Sequence, residues 1–249
     1  LAHNKIVIIG ATSLIAEHCA RIWAEQAPAE MVLAGRDPHK IELLAKDLNV
    51  RSPHTHIDNQ VINFREPDSI AAFARAVCSQ RLPDIVLIAH GFLSDQEKCQ
   101  HDLTEASEAM YLNGISPALF AEAFAHCMEK GNRGTIAIIS SVAGDRGRKS
   151  NYNYGSAKGL LSRYVQGMQH RFAGTGIKVI QIKPGPTDTP MTALLKTSGM
   201  KLAPVDSVAR DIVSGIAKGK ALVYTPSKWF LIMMIVRHIP GFIFNKTNI

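Results

Sequence analysis

Short apolar runs and amphipathic stretches alternate along almost the whole of this chain, and that alternation leaves few folds open to it. The apolar runs fall at 5–9, 31–34, 85–89, 135–139, 178–182 and 221–224, with a weaker one at 57–64. Helical patterns lie between and after them, at 14–26, 38–48, 67–80, 104–130, 152–173 and 204–218. A strand that is apolar at successive positions, as at Ile6-Val7-Ile8-Ile9, has to be covered on both faces, and crossover helices supply the cover. The pattern predicts an α/β fold: a Rossmann-type doubly wound parallel sheet of about seven strands in a single domain. Ligands are expected beyond the carboxyl ends of the strands.

Composition agrees. The chain has 249 residues, 46% hydrophobic and 20% charged, which can bury a sizeable core. No repeat, linker or low-complexity stretch divides it, so 1–249 reads as one domain, with 226–249 an apolar C-terminal extension. The formal charge of +7 suits phosphates or an anionic membrane surface. The basic residues are scattered, with no aromatic-interleaved stripe, so no nucleic-acid partner is expected. The four cysteines form no CxxC pair, and residues 1–5 run straight into a strand with no room for a signal peptide. Both features predict a reduced, cytoplasmic protein. His54 and His56 lack a carboxylate or thiol cluster to complete a metal site, so no metal is expected.

The turn after the first strand carries Gly10, Thr12, Ser13, Leu14 and Ile15. A glycine there permits a tight turn, and the following helix N-terminus offers free N–H groups to a dinucleotide pyrophosphate. Thr12 and Ser13 suit either phosphate binding or helix capping. The second strand ends at Arg36, one residue before Asp37. A guanidinium at that point suits the 2′-phosphate of NADP(H), whereas an acid would take the ribose hydroxyls of NAD(H). NADP(H) is therefore preferred over NAD(H). The alternative is an ordinary surface Arg.

Tyr154 and Lys158 lie four apart on one helical face, with only Gly155, Ser156 and Ala157 between them. An ammonium near a phenol favours the phenolate and brings the tyrosine towards acid–base duty. The small residues between would let a planar ring approach the helix. Ser141 stands thirteen residues upstream, at a strand end, and suits holding a substrate oxygen beside the phenol. Asn113 interrupts the long 104–130 pattern and suits a buried carbonyl contact near Lys158, or simply a polar kink. The loop from Pro184 and Gly185 through Thr187 and Thr189 follows the 178–182 strand as a carboxamide-binding candidate or a plain connection.

With these residues in this order, the chain resembles the short-chain dehydrogenase/reductase family over essentially its whole length. The family's YxxxK motif falls on Tyr154 and Lys158, its serine on Ser141, its asparagine on Asn113, and its PG motif on Pro184-Gly185. The resemblance implies a hydride-transferring oxidoreductase. Tyr154 would be the acid/base, Ser141 would bind the reacting oxygen, Lys158 would lower the tyrosine pKa and bond the nicotinamide ribose, and Asn113 would support the proton relay. Thr189 would meet the nicotinamide amide, and homodimers or homotetramers built on the 104–130 and 152–173 helices are expected. Three positions depart from the pattern. Leu14 and Ala16 replace glycines of the phosphate loop, with Leu14 expected to crowd the ligand. Ala89-His90-Gly91 replaces the NNAG segment, and Asn63 stands where an acid commonly meets the adenine.

Residues 229–236 form the most apolar run, eight residues against the about 20 that cross a bilayer. It reads either as a helix packed on the core or a dimer partner, or as peripheral membrane contact through 229–246 with Arg237 and Lys246 facing phosphates. This tail and the segment 140–148 resemble the branch that includes decaprenylphosphoryl-2-keto-pentose reductases. That resemblance implies a polyprenylphosphoryl 2-keto-pentose substrate, a partner oxidase and work at the inner membrane face, with Arg146, Arg148 and Lys149 meeting the substrate phosphate or standing as solvated charges. The rivals are a 3-oxoacyl-thioester or small-ketone reductase and a non-catalytic dinucleotide-binding regulator.

Overall fold

The structure is a computed structural model and describes residues 4–197 and 199–247. Seven parallel strands make one sheet: β1 (Asn4–Ile9), β2 (Ala29–Gly35), β3 (His56–Val61), β4 (Ile85–Ile88), β5 (Gly134–Ile139), β6 (Ile177–Pro184) and β7 (Leu222–Thr225). Their order is β3-β2-β1-β4-β5-β6-β7, and every neighbouring pair is parallel. The order reverses at β1, which pairs with β2 on one side and β4 on the other. A crevice therefore opens where the crossovers leave β1 and β4 in opposite directions.

Helices α1 (Leu14–Gln26), α2 (Pro38–Arg51) and α3 (Pro67–Gln80) follow β1, β2 and β3. Successive side chains of each strand feed opposite layers. Ile6, Ile8, Met31 and Leu33 join one buried cluster with α1 and α2. Val7, Ile9, Val32, Val86 and Ile88 join the other, which contains Phe73, Phe120 and Phe124. The weak signal at 57–64 has its cause in β3, an edge strand whose residues are mostly exposed and polar.

The expected 104–130 helix is instead a series. After β4 come α4 (Gln96–His101) and α5 (Leu103–Met110), capped by the side chains of Asp95 and Asp102. A π turn at Tyr111–Ile115 then leads into α6 (Ser116–Glu129). Pro117 has no N–H for the carbonyl four residues back, and the ladder widens here, with the Ser116 N–H reaching the Tyr111 carbonyl. Asn113 sits inside this turn, fully buried. Beyond β5 and a short 3-10 turn at Val142–Asp145 runs α7 (Tyr152–Arg171); α8 (Ala193–Thr197) and α9 (Val205–Ala217) lie between β6 and β7.

The tail folds as α10 (Lys228–His238) and α11 (Gly241–Phe244). It does not pack into the main core. Met233 and Val236 are buried against Val142 and Tyr224, with Trp229 and Phe244 beside them, and the rest of the apolar run faces outward. Among the described residues no helix is long and apolar enough to cross a membrane, and no group of acids, histidines and cysteines could hold a metal ion. All four cysteines are free. Cys78 on α3 and Cys127 on α6, far apart in sequence, come within hydrogen-bonding reach, and burial pushes the Cys78 thiol up to about 12.

Phe124 is fully buried and meets Phe73 edge to face at 5.8 Å. Phe124→Ala is expected to cost about 3–5 kcal/mol, read as a lowered urea midpoint with an unchanged slope.

Candidate active site

The crevice beside β1 holds a cavity of about 430 Å³. Gly10 is in its wall with φ +77°, and a Cβ there would lie 2.6 Å from the His90 backbone nitrogen, so only glycine lets the two loops meet. Thr12 and Ser13 also line it. Ser13 is the N-cap of α1, yet its side chain makes no capping bond, so the first N–H groups of the helix have no side-chain cap. Leu14 and Ile15 start α1 half-buried and do not line this cavity.

Arg36 and Lys40 both border the cavity. Asp37, between them, is occupied: its Oδ1 accepts from the His39 and Lys40 backbone N–H groups at 3.1 and 3.2 Å and caps α2. Arg36 lies 5.9 Å from the centre of the Phe64 ring. Asn63, expected at the adenine, is exposed and turned to the Arg65 N–H at 3.0 Å; the neighbouring Phe64 fills the wall instead. Lys40 and Phe64 were not among the expected residues. The four-residue spacing of Arg36 and Lys40 was the legible sign of the first.

Ala89 and His90 follow β4 and are buried. Ser116 gives its one hydroxyl hydrogen to the Phe64 carbonyl at 2.7 Å, so the 3.0 Å contact with His90 Nε2 is donated by the imidazole. Nδ1 then carries a lone pair, and it has no partner. Burial and the nearby Lys158 and Arg36 charges push the His90 pKa down to about 3, so the ring is neutral. Gly91 links this cavity to the second half of the site. A Cβ on Gly91 would meet Asn113 Oδ1 at 2.7 Å and Lys158 Nζ at 3.4 Å.

In that second half the structure brings Ser141, Tyr154, Lys158 and Asn113 together. Ser141 lies two residues beyond β5 as the N-cap of the 3-10 turn, takes the Ala143 N–H at 3.1 Å and hydrogen-bonds Tyr154. Lys158 is buried, donates to the Ile139 carbonyl at 3.2 Å and stands 5.8 Å from the Tyr154 ring. Asn113 accepts from the Phe92 N–H and donates to the Ala109 carbonyl, both at 2.9 Å. The small residues around Tyr154 allow close packing. A Cβ at Gly144 would lie 2.6 Å from the Lys158 backbone, Gly155 faces the Ala143 carbonyl, and Gly114 faces Ala157. Ser140 Oγ, bonded to the Lys158 carbonyl and to Ser162, ties α7 to the end of β5.

Burial raises the Tyr154 pKa to about 12, opposed only by the Ser141 hydrogen bond, so without a ligand the phenol holds its proton. Burial likewise lowers Lys158 to about 8.

The loop after β6 closes the far end. Pro184 is the last residue of β6, and Gly185 leaves room for the Trp229 indole of α10, which a Cβ would strike. Thr187 donates to the Gly185 carbonyl at 2.9 Å, and Thr189 bonds Thr192 in the following 3-10 turn. Arg146 is not a free phosphate ligand. Its guanidinium donates to the carbonyls of Val236, Arg237 and Ile239 and stacks on Phe244 at 4.0 Å. Arg148 is half-buried, with Nη2 near Met233 Sδ and Nε unpartnered. Gln96 accepts from the Asn153 N–H at 2.8 Å, a capping bond that the α7 N-cap Asn151 does not make. Asn151 Oδ1, Gln96 Nε2 and Ser94 Oγ are left buried without partners.

A parallel sheet reversing at β1, with a glycine turn on one side of the crevice and a Ser/Tyr/Lys set on the other, defines a dinucleotide-fold oxidoreductase. Residues 4–198 match the family model described as short chain dehydrogenase, and the chain belongs to that family. An uncharacterized oxidoreductase of Mycobacterium tuberculosis is 29% identical over 97% of this chain and 96% of its own. One from Streptomyces coelicolor is 26% identical over 98% and 95%. Among solved structures, a short-chain dehydrogenase from Sphingobium yanoikuyae in complex with NADPH superposes with a TM-score of 0.82 at 20% identity, covering 96% of each chain. Actinorhodin polyketide ketoreductase with NADPH gives 0.79 at 18% identity, covering 89% of this chain and 95% of its own. These two share the fold.

The buried ammonium has a measurable cost. Unfolded, Lys158 titrates at 10.5; folded, at about 8, so between these values the unfolded chain binds more protons and wild-type stability rises with pH. Lys158→Met is expected to melt higher than wild type below about pH 8, with the gap closing towards pH 10.5, read by thermal unfolding of the cofactor-free proteins.

Proposed function

We propose that this oxidoreductase reduces a ketone with NADP(H), with Tyr154 as the proton donor. The observation carrying the proposal is the meeting of Ser141, Tyr154 and Lys158 beside Gly91, a residue that also lines the cavity bordered by Arg36 and Lys40. Gly10, Thr12 and Ser13 would cradle the pyrophosphate, and Arg36 with Lys40 would take the 2′-phosphate. Asp37 also lines the cavity, but its Oδ1 caps α2 and its Oδ2 lies 3.9 Å from the Lys40 ammonium, so the cations prevail there. Phe64, Ala89, His90 and Gly91 would flank the adenosine half, and Pro184, Gly185, Thr187 and Thr189 the nicotinamide half. When bound, the cofactor supplies the hydride.

The chain's own part is to orient the carbonyl and deliver a proton. A ketone oxygen placed between Ser141 Oγ and Tyr154 Oη receives a hydrogen bond from each. The phenol, held protonated near neutrality, gives its proton to that oxygen as the carbonyl carbon is reduced. Lys158 lies behind it, between the Ile139 carbonyl and Gly91, where its ammonium favours the phenolate that remains. Asn113 anchors the 91–92 loop against the π turn and keeps Gly91 beside Lys158.

For the substrate we propose a hydroxylated keto-sugar carried on a polyprenyl phosphate, a polyprenylphosphoryl 2-keto-pentose, produced by a partner oxidase. Its support is the set of unpaired polar atoms on Ser94, Gln96, Arg148 and Asn151, in the two segments joined just ahead of Tyr154. Three of these atoms are donors and one is an acceptor, a set that suits hydroxyl and phosphate oxygens. Work at the cytoplasmic membrane face belongs to the same proposal, as does self-association through α5 and α7, which expose Leu103, Met110, Leu160 and Tyr164.

Tyr154→Phe is expected to lower kcat for ketone reduction by at least about 10²-fold while leaving NADPH affinity unchanged, measured by absorbance turnover and fluorescence titration. Unaltered turnover would defeat the mechanism. A variant carrying Arg36→Ala and Lys40→Ala is expected to raise KM for NADPH about tenfold or more, with KM for NADH little changed. NADPH oxidation against a panel of a polyprenylphosphoryl keto-pentose, acetoacetyl thioesters and simple ketones tests the substrate. Turnover confined to thioesters would remove the sugar and keep the chemistry.

A further inference from the structure

The tail inverts the usual order of a surface helix. On α10 the inward positions are Trp229, Met233 and Val236, and the opposite face carries Leu231 and Ile235 at 58% and 63% exposure, flanked by Phe230 and Met234. Phe242 on α11 is 72% exposed and Ile243 is also outward. A helix that is apolar all round needs a second partner beyond the core it already touches. The tail is firmly placed all the same. Arg146 holds the last carbonyls of α10 and the Phe244 ring, Trp229 fills the space over Gly185, and Asp145, next to Arg146, is locked between Lys183 and the Tyr224 hydroxyl. The apolar face is therefore rigidly joined to the two loops, 141–148 and 184–189, that border the nicotinamide end of the site.

Charge selects the occupant. No Asp or Glu occurs from 226 to 249, whereas Lys228, Arg237 and Lys246 stand at the ends of the two helices. A second copy docked face to face about a two-fold axis would set these cations against their own kind, with no carboxylate in the segment to answer them. A bilayer carrying anionic lipid offers acyl chains to the apolar side chains and phosphates to the flanking bases. We infer that the outward face of α10–α11 is a foot that seats this protein on an anionic membrane surface, with the mouth of the active site beside the lipid. This deepens the proposed function, since a headgroup could then reach Tyr154 while its lipid chain stays in the bilayer.

The test is co-sedimentation of the full chain, without cofactor or substrate, with vesicles of equal parts phosphatidylcholine and phosphatidylglycerol, and with phosphatidylcholine alone. Wild type is expected to bind the anionic vesicles, to bind phosphatidylcholine weakly, and to release with salt. The bound fraction should fall about tenfold or more in Leu231→Ser/Ile235→Ser/Phe242→Ser and in Lys228→Glu/Lys246→Glu. Both variants are expected to keep wild-type turnover of a water-soluble ketone, which certifies their fold. Wild type staying in the supernatant, or binding that survives the apolar triple substitution, overturns the inference. So does a dimer by light scattering that the triple substitution dissociates while wild type ignores vesicles, which would assign the face to a second copy. Vesicle binding requires no chemistry, so it stands or falls apart from the reductase reading.

Discussion

Everything in the site depends on how closely the backbone of α7 approaches the end of β5. Gly144 lies against the Lys158 carbonyl region, Gly155 against the Ala143 carbonyl, and Gly114 against Ala157. At each contact a side-chain carbon would meet backbone, which has nowhere to move. Ser140 then bonds across the gap to the Lys158 carbonyl and the Ser162 hydroxyl. These contacts put the first turns of α7 beside Ser141 and the Gly91 loop. Tyr154 and Lys158 reach the crevice only because nothing larger than hydrogen stands between the elements.

The same tight packing sets the electrostatics. Tyr154 is half-buried and Lys158 buried, and this burial makes the phenol a weaker acid than a free tyrosine and the ammonium easier to deprotonate. The molecule thus keeps a protonated donor beside a cation that donates to the Ile139 carbonyl. Such an arrangement is costly in the empty protein and suited to a site completed by a ligand. His90 follows the same logic: it is neutral, bonded at one nitrogen to Ser116, and lacks a partner at the other.

The turn after Ser141, the ends of β6 and β7, and the tail are one mechanical unit. The buried Lys183–Asp145 pair, with Tyr224 donating to Asp145 at 2.7 Å, ties the turn after Ser141 to β6 and β7. Arg146 extends that tie to the tail. Its three carbonyl contacts satisfy the end of α10, which would otherwise leave acceptors unpaired. A residue that reads as a candidate phosphate ligand in the linear chain is spent on architecture in the folded one.

What the sequence by itself determined is whatever local rules control. Alternating strand and helix periods announced the doubly wound sheet, Gly10 announced the tight turn, and spacing by four put Tyr154 and Lys158 on one face. The ends of the fifth and sixth strands could be placed for the same reason, with Ser141 two residues past the one and Pro184 closing the other. Only the tertiary structure decided which groups met across long separations. Lys40 and Phe64 entered the cavity wall while Asn63 turned outward, Arg146 found carbonyls some ninety residues away, and Pro117 split the long helix around Asn113. It alone decided the protonation of Tyr154, because burial depends on every element packed around a side chain and on none of its neighbours in sequence.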